Sequence, residues 1–111
     1  MLVIRSSPFG SKSRTWVLLA LRLLEESYAR ELSRLLEIPL NAVQQALSGL
    51  ERDGLVAGRP AGRTKLYRLN PRYFSRTELE RYLSRLLEPE NELRERAESL
   101  RRRPRGTGKP I

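Results

Sequence analysis

Between Leu40 and Asp53 the chain places Asn41, Gln45, Ser48 and Arg52 at steps of three and four, with Gln44 and Gly49 flanking them. At about 100° per residue these side chains share one side of a helix. None is a nucleophile or general base in this setting. Their chemistry is hydrogen bonding: Asn and Gln can pair with the edge of adenine, Arg with guanine, and Ser with either. The other side carries Leu40, Val43, Leu47 and Leu50, with Ala46 beside them. Those residues form a core stripe. A polar face alone would fit any solvated helix, but such faces tend towards Glu and Lys pairs at i,i+4. This one offers amides, a hydroxyl and a guanidinium instead.

The segment that follows is cationic. Residues 51–76 hold seven basic and two acidic residues, and no acid stands between Asp53 and Glu78. Arg59, Arg63, Lys65 and Arg68 lie in what reads as a hairpin, with strands at Leu55–Arg59 and Thr64–Leu69 and a loop tip at Pro60-Ala61-Gly62. Tyr67 and Leu69 are expected to face inward. A basic hairpin beside an amide-rich helix suits a polyanion, one element meeting the groove and the other the phosphates. The whole chain carries a formal net charge of +9. Part of it lies in the run Arg101-Arg102-Arg103-Pro104-Arg105 to Lys109, which either supports non-specific DNA binding or merely solubilises the end.

Other elements must hold this pair in place. A first helix is expected from Ser11 or Ser13, either of which can act as N-cap, to about Glu26. Its apolar residues, Trp16 to Leu24, span about 200° of a helical wheel, more than one packing face needs. Ser27-Tyr28 reads as a short strand and Ala29–Leu36 as a second helix, with Leu32, Leu35 and Leu36 inward. Glu37-Ile38-Pro39 is a turn, because proline cannot continue one helix but suits the start of the next. Gly54 should terminate the polar-faced helix at C′. Ser75 or Thr77 caps a further helix, broken at Glu88-Pro89-Glu90 and resumed to about Arg103. The expected fold is mainly α with a small antiparallel β-hairpin. It divides into an N-terminal arm (1–10), a domain of helices and hairpin (11–74), a C-terminal helical extension (75–103) and a disordered basic tail (104–111).

Composition removes several functions. With no His and no Cys in 111 residues, thiolate and imidazole metal sites, a disulfide framework and the usual general base are all absent. A soft-metal sensor is therefore excluded, and no cofactor is expected. No glycine-rich phosphate loop follows a strand, and no paired carboxylates sit in an apolar setting, so an enzyme is not expected. The apolar patch Leu2-Val3-Ile4 is too short for a secretory signal, and no run spans a membrane. The expectation is a soluble cytoplasmic protein.

From about Leu18 to Pro71 the sequence resembles the winged helix-turn-helix regulators of the ArsR and MarR type, a bacterial kind of protein. The resemblance rests on Tyr28-Ala29-Arg30-Glu31-Leu32-Ser33-Arg34-Leu35-Leu36, on Asn41-Ala42-Val43-Gln44-Gln45-Ala46-Leu47, on Leu50-Glu51-Arg52-Asp53-Gly54-Leu55-Val56, and on Gly62-Arg63-Thr64-Lys65-Leu66-Tyr67-Arg68-Leu69. It implies sequence-specific regulation of transcription on double-stranded DNA by a homodimer. The recognition helix 40–53 would carry Asn41, Gln44, Gln45, Ser48 and Arg52 into the major groove. The wing, 58–68, would set Arg59, Arg63 and Lys65 on the backbone or minor groove, and Tyr28, Arg30 and Arg34 would touch phosphates. Pro39 stands where such regulators often have Ser or Thr, which leaves Asn41 either to cap the helix or to read a base.

The late apolar stripe, Leu79, Tyr82, Leu83, Leu86, Leu87, Leu93, Ala97 and Leu100, is long for so small a body. The expectation is that it pairs with the first helix of a second subunit, through Trp16, Leu19, Leu83, Leu86, Leu87 and Leu93. The alternative function is a winged-helix module that binds a partner protein and has lost DNA binding. For that reading Gly49 offers a flat spot on the helix.

Overall fold

A computed structural model describes residues 8–102. The element order is α1 (Lys12–Leu24), β1 (Glu26–Tyr28), α2 (Ala29–Leu36), α3 (Leu40–Arg52), β2 (Val56–Ala61), β3 (Thr64–Leu69), α4 (Arg76–Leu87) and α5 (Asn91–Arg102). The expected basic tail, 104–111, and most of the expected arm lie outside the described residues.

The first helix, α1, is the hub. Ser11 caps it, its Oγ accepting from the Arg14 N–H at 3.1 Å. Seven consecutive residues, Thr15 to Leu21, are buried, because other elements surround it. It ends at Leu24, two residues earlier than expected. Glu25 takes a positive φ of 72° while its N–H still bonds Leu21 O, and this sharp turn sends Glu26 into β1.

The sheet has the order β1-β3-β2 and is antiparallel throughout. The hairpin tip is tighter than expected. Ala61 pairs with Thr64, leaving Gly62-Arg63 as a two-residue turn with φ +65° at Gly62, the backbone such turns favour. Pro60 belongs to β2, an edge strand, where its missing N–H costs no ladder bond. Tyr67 and Leu69 pack on the core as expected, while Leu66 is buried on the other face between Tyr28 and Arg59.

The α3 helix ends in a Schellman motif: Leu55 N–H bonds Leu50 O at 2.9 Å and Gly54 N–H bonds Glu51 O at 3.1 Å, with Gly54 at φ +83°. The α2 helix ends similarly, but with Glu37 in the left-handed region, φ 59°. Arg96 of α5 meets that turn, donating to Leu35 O at 3.0 Å and pairing with Glu37 at 3.2 Å.

The C-terminal helices correct the expected subunit interface. Trp16, Leu19, Leu83, Leu87 and Leu93 are all buried within the single chain, and only Leu86 of the six is half-buried. The break at Glu88–Glu90 folds α5 back, so α4 and α5 lay their apolar stripe on α1 of the same chain. Apart from Tyr82, which is exposed, and Leu86 and Leu100, which are half-buried, the stripe is covered without a second subunit. The 75–102 extension thus shares one core with the winged unit rather than standing apart from it.

Candidate nucleic-acid interface

The α3 helix stands with one side in the core and the other free. Val43, Ala46, Leu47 and Leu50 are buried and Leu40 is half-buried. Asn41, Gln44, Gln45, Ser48 and Arg52 are all exposed. Pro39 is the N-cap and contributes its carbonyl, which accepts from Ala42 and Val43 N–H at 3.0 and 3.1 Å. Asn41 lies inside the first turn and is not used as a cap. Among the described residues its amide has no partner, and all five polar side chains present unused donors and acceptors on one surface.

Gly49 is corrected. It is buried, facing α1, and Arg14 lies across it: a Cβ there would come within 2.8 Å of Arg14 Cζ. It is therefore not an open flat spot for a partner. The observation offered for a protein-docking module is removed.

The hairpin's cations do not form one surface. Side chains alternate along a strand, and the register sorts them. Arg59 shares the outer face of the sheet with Tyr28, Leu66, Arg68 and Glu26, and Arg59 Nη2 lies 3.5 Å from Glu26 Oε2. Lys65 lies on the inner face. Its Nζ reaches Glu51 Oε1 in the last full turn of α3 at 3.0 Å and sits 5.4 Å from the centre of the Tyr67 ring. Its stem crosses Gly58, where a Cβ would come within 3.1 Å of the Tyr67 ring. The hydrogen bond that the Lys65 ammonium donates to the Glu51 carboxylate raises the Lys65 pKa above its ordinary 10.5. In the free protein this ammonium is engaged inside the chain, tying the wing to the recognition helix. Arg63, at the tip, is exposed and has no ion pair among the described residues.

On α2, Arg30 and Arg34 are exposed, and Tyr28 is half-buried at its N-cap with no side-chain capping bond. Arg34 borders a cleft of about 510 Å³ between α2 and α5, also lined by Leu35, Glu95 and Leu100.

The sequence reading missed Glu51 and Asp53 as working residues. A carboxylate at the C-terminal end of a helix is disfavoured by the helix dipole, and two of them in the last turn, on either side of Arg52, signal partners outside the helix. Those partners are Lys65 and Arg14, the latter holding Asp53 Oδ2 at 3.1 Å from 39 residues away.

This arrangement is shared with known proteins. The family model of the sugar-specific transcriptional regulator TrmB matches residues 13–72, from α1 to the turn after β3. The chain belongs to the TrmB family. A search of curated sequences finds no match. Among solved structures, reduced HlyU from Vibrio cholerae is similar at 32% identity, covering 71% of this chain and 77% of that one, with a TM-score of 0.58. The adhesin competence repressor AdcR of Streptococcus pyogenes (18% identity, 83% and 75% covered, TM-score 0.55) shares the fold. So does a cysteine-to-serine mutant of Lactococcus lactis ZitR, at 19% identity, 95% and 70% covered and TM-score 0.56. The resemblance read from the residues covered nearly the same stretch and implied the same fold. This TrmB-family chain is a winged helix-turn-helix, DNA-binding transcriptional regulator.

Proposed function

We propose that the exposed face of α3 reads base edges in the major groove, with Asn41, Gln44, Gln45, Ser48 and Arg52 as the reading set. The observation that supports this most strongly is that these five side chains are exposed together and make no side-chain hydrogen bond or ion pair among the described residues. Arg63 at the wing tip meets the backbone or minor groove, and Arg59 joins it by giving up a mostly exposed pair with Glu26. Tyr28, Arg30 and Arg34 are phosphate contacts at the N-terminal helix of the motif. Lys65 contributes to DNA binding by holding the wing against α3.

The protein acts as a homodimer, because a two-fold pair of recognition helices one helical turn apart matches a palindromic site. Of the expected interface only Leu86 still faces partly outward, next to Tyr82, which is 44% exposed. The site of action is the cytoplasm. No helix of the described residues is long and apolar enough to cross a membrane. The protein works as a binder and not as an enzyme.

The test is enrichment of bound fragments from a random DNA pool, followed by gel shifts. An enriched, two-fold symmetric motif bound well above random DNA is the expected result. Failure to bind any duplex at roughly 50–100 mM salt, where phosphate contacts are strong, overturns the reading. Analytical ultracentrifugation of the free and DNA-bound chain tests the dimer, and one protomer per half-site-bearing duplex speaks against it.

A further inference from the structure

Gly49 occupies a helix interior without any backbone need for glycine. Its conformation is helical, not left-handed, and glycine is the least favourable ordinary residue in such a place. Space explains it. The Arg14 guanidinium lies on the helix at this point, with Cζ 2.8 Å from where a Cβ would stand and Nη2 nearer still. From that seat Nη1 reaches Asp53 Oδ2 at 3.1 Å. Arg14 is itself fixed at the start of α1, where Ser11 caps its N–H, and its side chain is only 25% exposed. One side chain thus spans the last turn of α3, from residue 49 to residue 53, and anchors it to α1.

Ser48 and Arg52 lie in the same turn, on the exposed face, with Gln45 one turn before. Base-edge hydrogen bonds demand both distance and angle, so the angle of this turn decides which edges those side chains meet. We infer that Arg14 is a positioning residue for sequence discrimination: seated on Gly49 and held to Asp53, it sets the pose of the recognition helix without touching DNA. This rests on the base-reading role of α3 proposed above.

The test uses the full chain as wild type, Gly49→Ala, Arg14→Ala and the double variant. Two quantities are read: the affinity ratio of the selected site to a scrambled duplex, and the melting temperature. The three atoms nearest an alanine Cβ at 49 all belong to the guanidinium end of the flexible Arg14 side chain, so the substitution displaces the guanidinium rather than the helix. Each single variant is expected to lower the ratio about fivefold, equivalent to about 1 kcal/mol. The double variant should lose no more than Arg14→Ala alone. Gly49→Ala should also raise the melting temperature more in the Arg14→Ala background than in wild type, since the helix-propensity gain is the same in both and only wild type has an arginine to displace. Independent, multiplying losses in the double variant overturn the inference. So does a salt slope that falls by about 0.9 in Arg14→Ala, which marks a direct phosphate contact. A wild type that does not discriminate sequences overturns both the base-reading role and this inference. A discriminating wild type with additive variants overturns the inference alone.

Discussion

Replacing Lys65 with methionine separates two roles for the wing's inner cation. Methionine keeps an unbranched stem to lie across Gly58 and removes only the ammonium. Three small effects are lost. The pair with Glu51 spans 3.0 Å but its side chains are 44% and 35% exposed, so its worth is at the screened end, about 0.2–1 kcal/mol. The ammonium over the Tyr67 ring adds about 0.5 kcal/mol at an exposed site. Glu51 is left uncompensated near the C-terminal end of α3, which costs about 0.3–1 kcal/mol. These overlap, and a total of about 1 kcal/mol lowers the melting temperature by about 4–8 °C in a domain of this size. Because the folded-state pKa of Lys65 is raised above 10.5, this stabilisation is complete below that pH and is lost as pH climbs through the higher folded value. The melting gap between wild type and Lys65→Met should stay constant to about pH 10 and then close. The salt dependence of DNA binding should keep its slope, since the ammonium is engaged internally. A variant that melts like wild type but loses about 0.9 from the slope refutes the reasoning and restores Lys65 as a phosphate contact.

Gln45→Ala should reduce discrimination between sites with little change in slope, whereas Arg63→Ala should weaken all sequences alike and lower the slope by about 0.9; identical behaviour in equilibrium titrations contradicts the assigned roles. Leu47→Ala removes a fully buried side chain beneath the recognition face and should cost about 2–5 kcal/mol in urea unfolding; a loss under about 1 kcal/mol means α3 is not seated on the core as described. Gly54→Ala puts a Cβ at φ +83° and should destabilise by about 1 kcal/mol although the space is open, as thermal melts will show.

Periodicity made much of this fold readable. The α2 helix and β3 fall where apolar spacing and β-branched or aromatic residues placed them, and Gly54 ends α3 at the position its type suggests. The core and open sides of α3 follow from the wheel. What the wheel cannot show is which other element covers a face. Gly49 looked open because Arg14 comes from a helix far away in sequence. The stripe from Leu79 to Ala97 looked unpartnered because the turn at Glu88–Glu90 brings it back onto α1 only in three dimensions. The wing cations looked alike along the chain, but the period of two sends Lys65 inward and Arg59 outward. Pro60 read as loop because its compatibility with an edge strand depends on the strand order.

The most direct measurement is methylation interference at guanine N7, an atom that lies in the major groove. On the selected site, methylation of particular guanines in each half-site should block binding by wild type, and Arg52→Ala should lose sensitivity at one of them. Binding indifferent to N7 methylation throughout the site would contradict major-groove reading by α3.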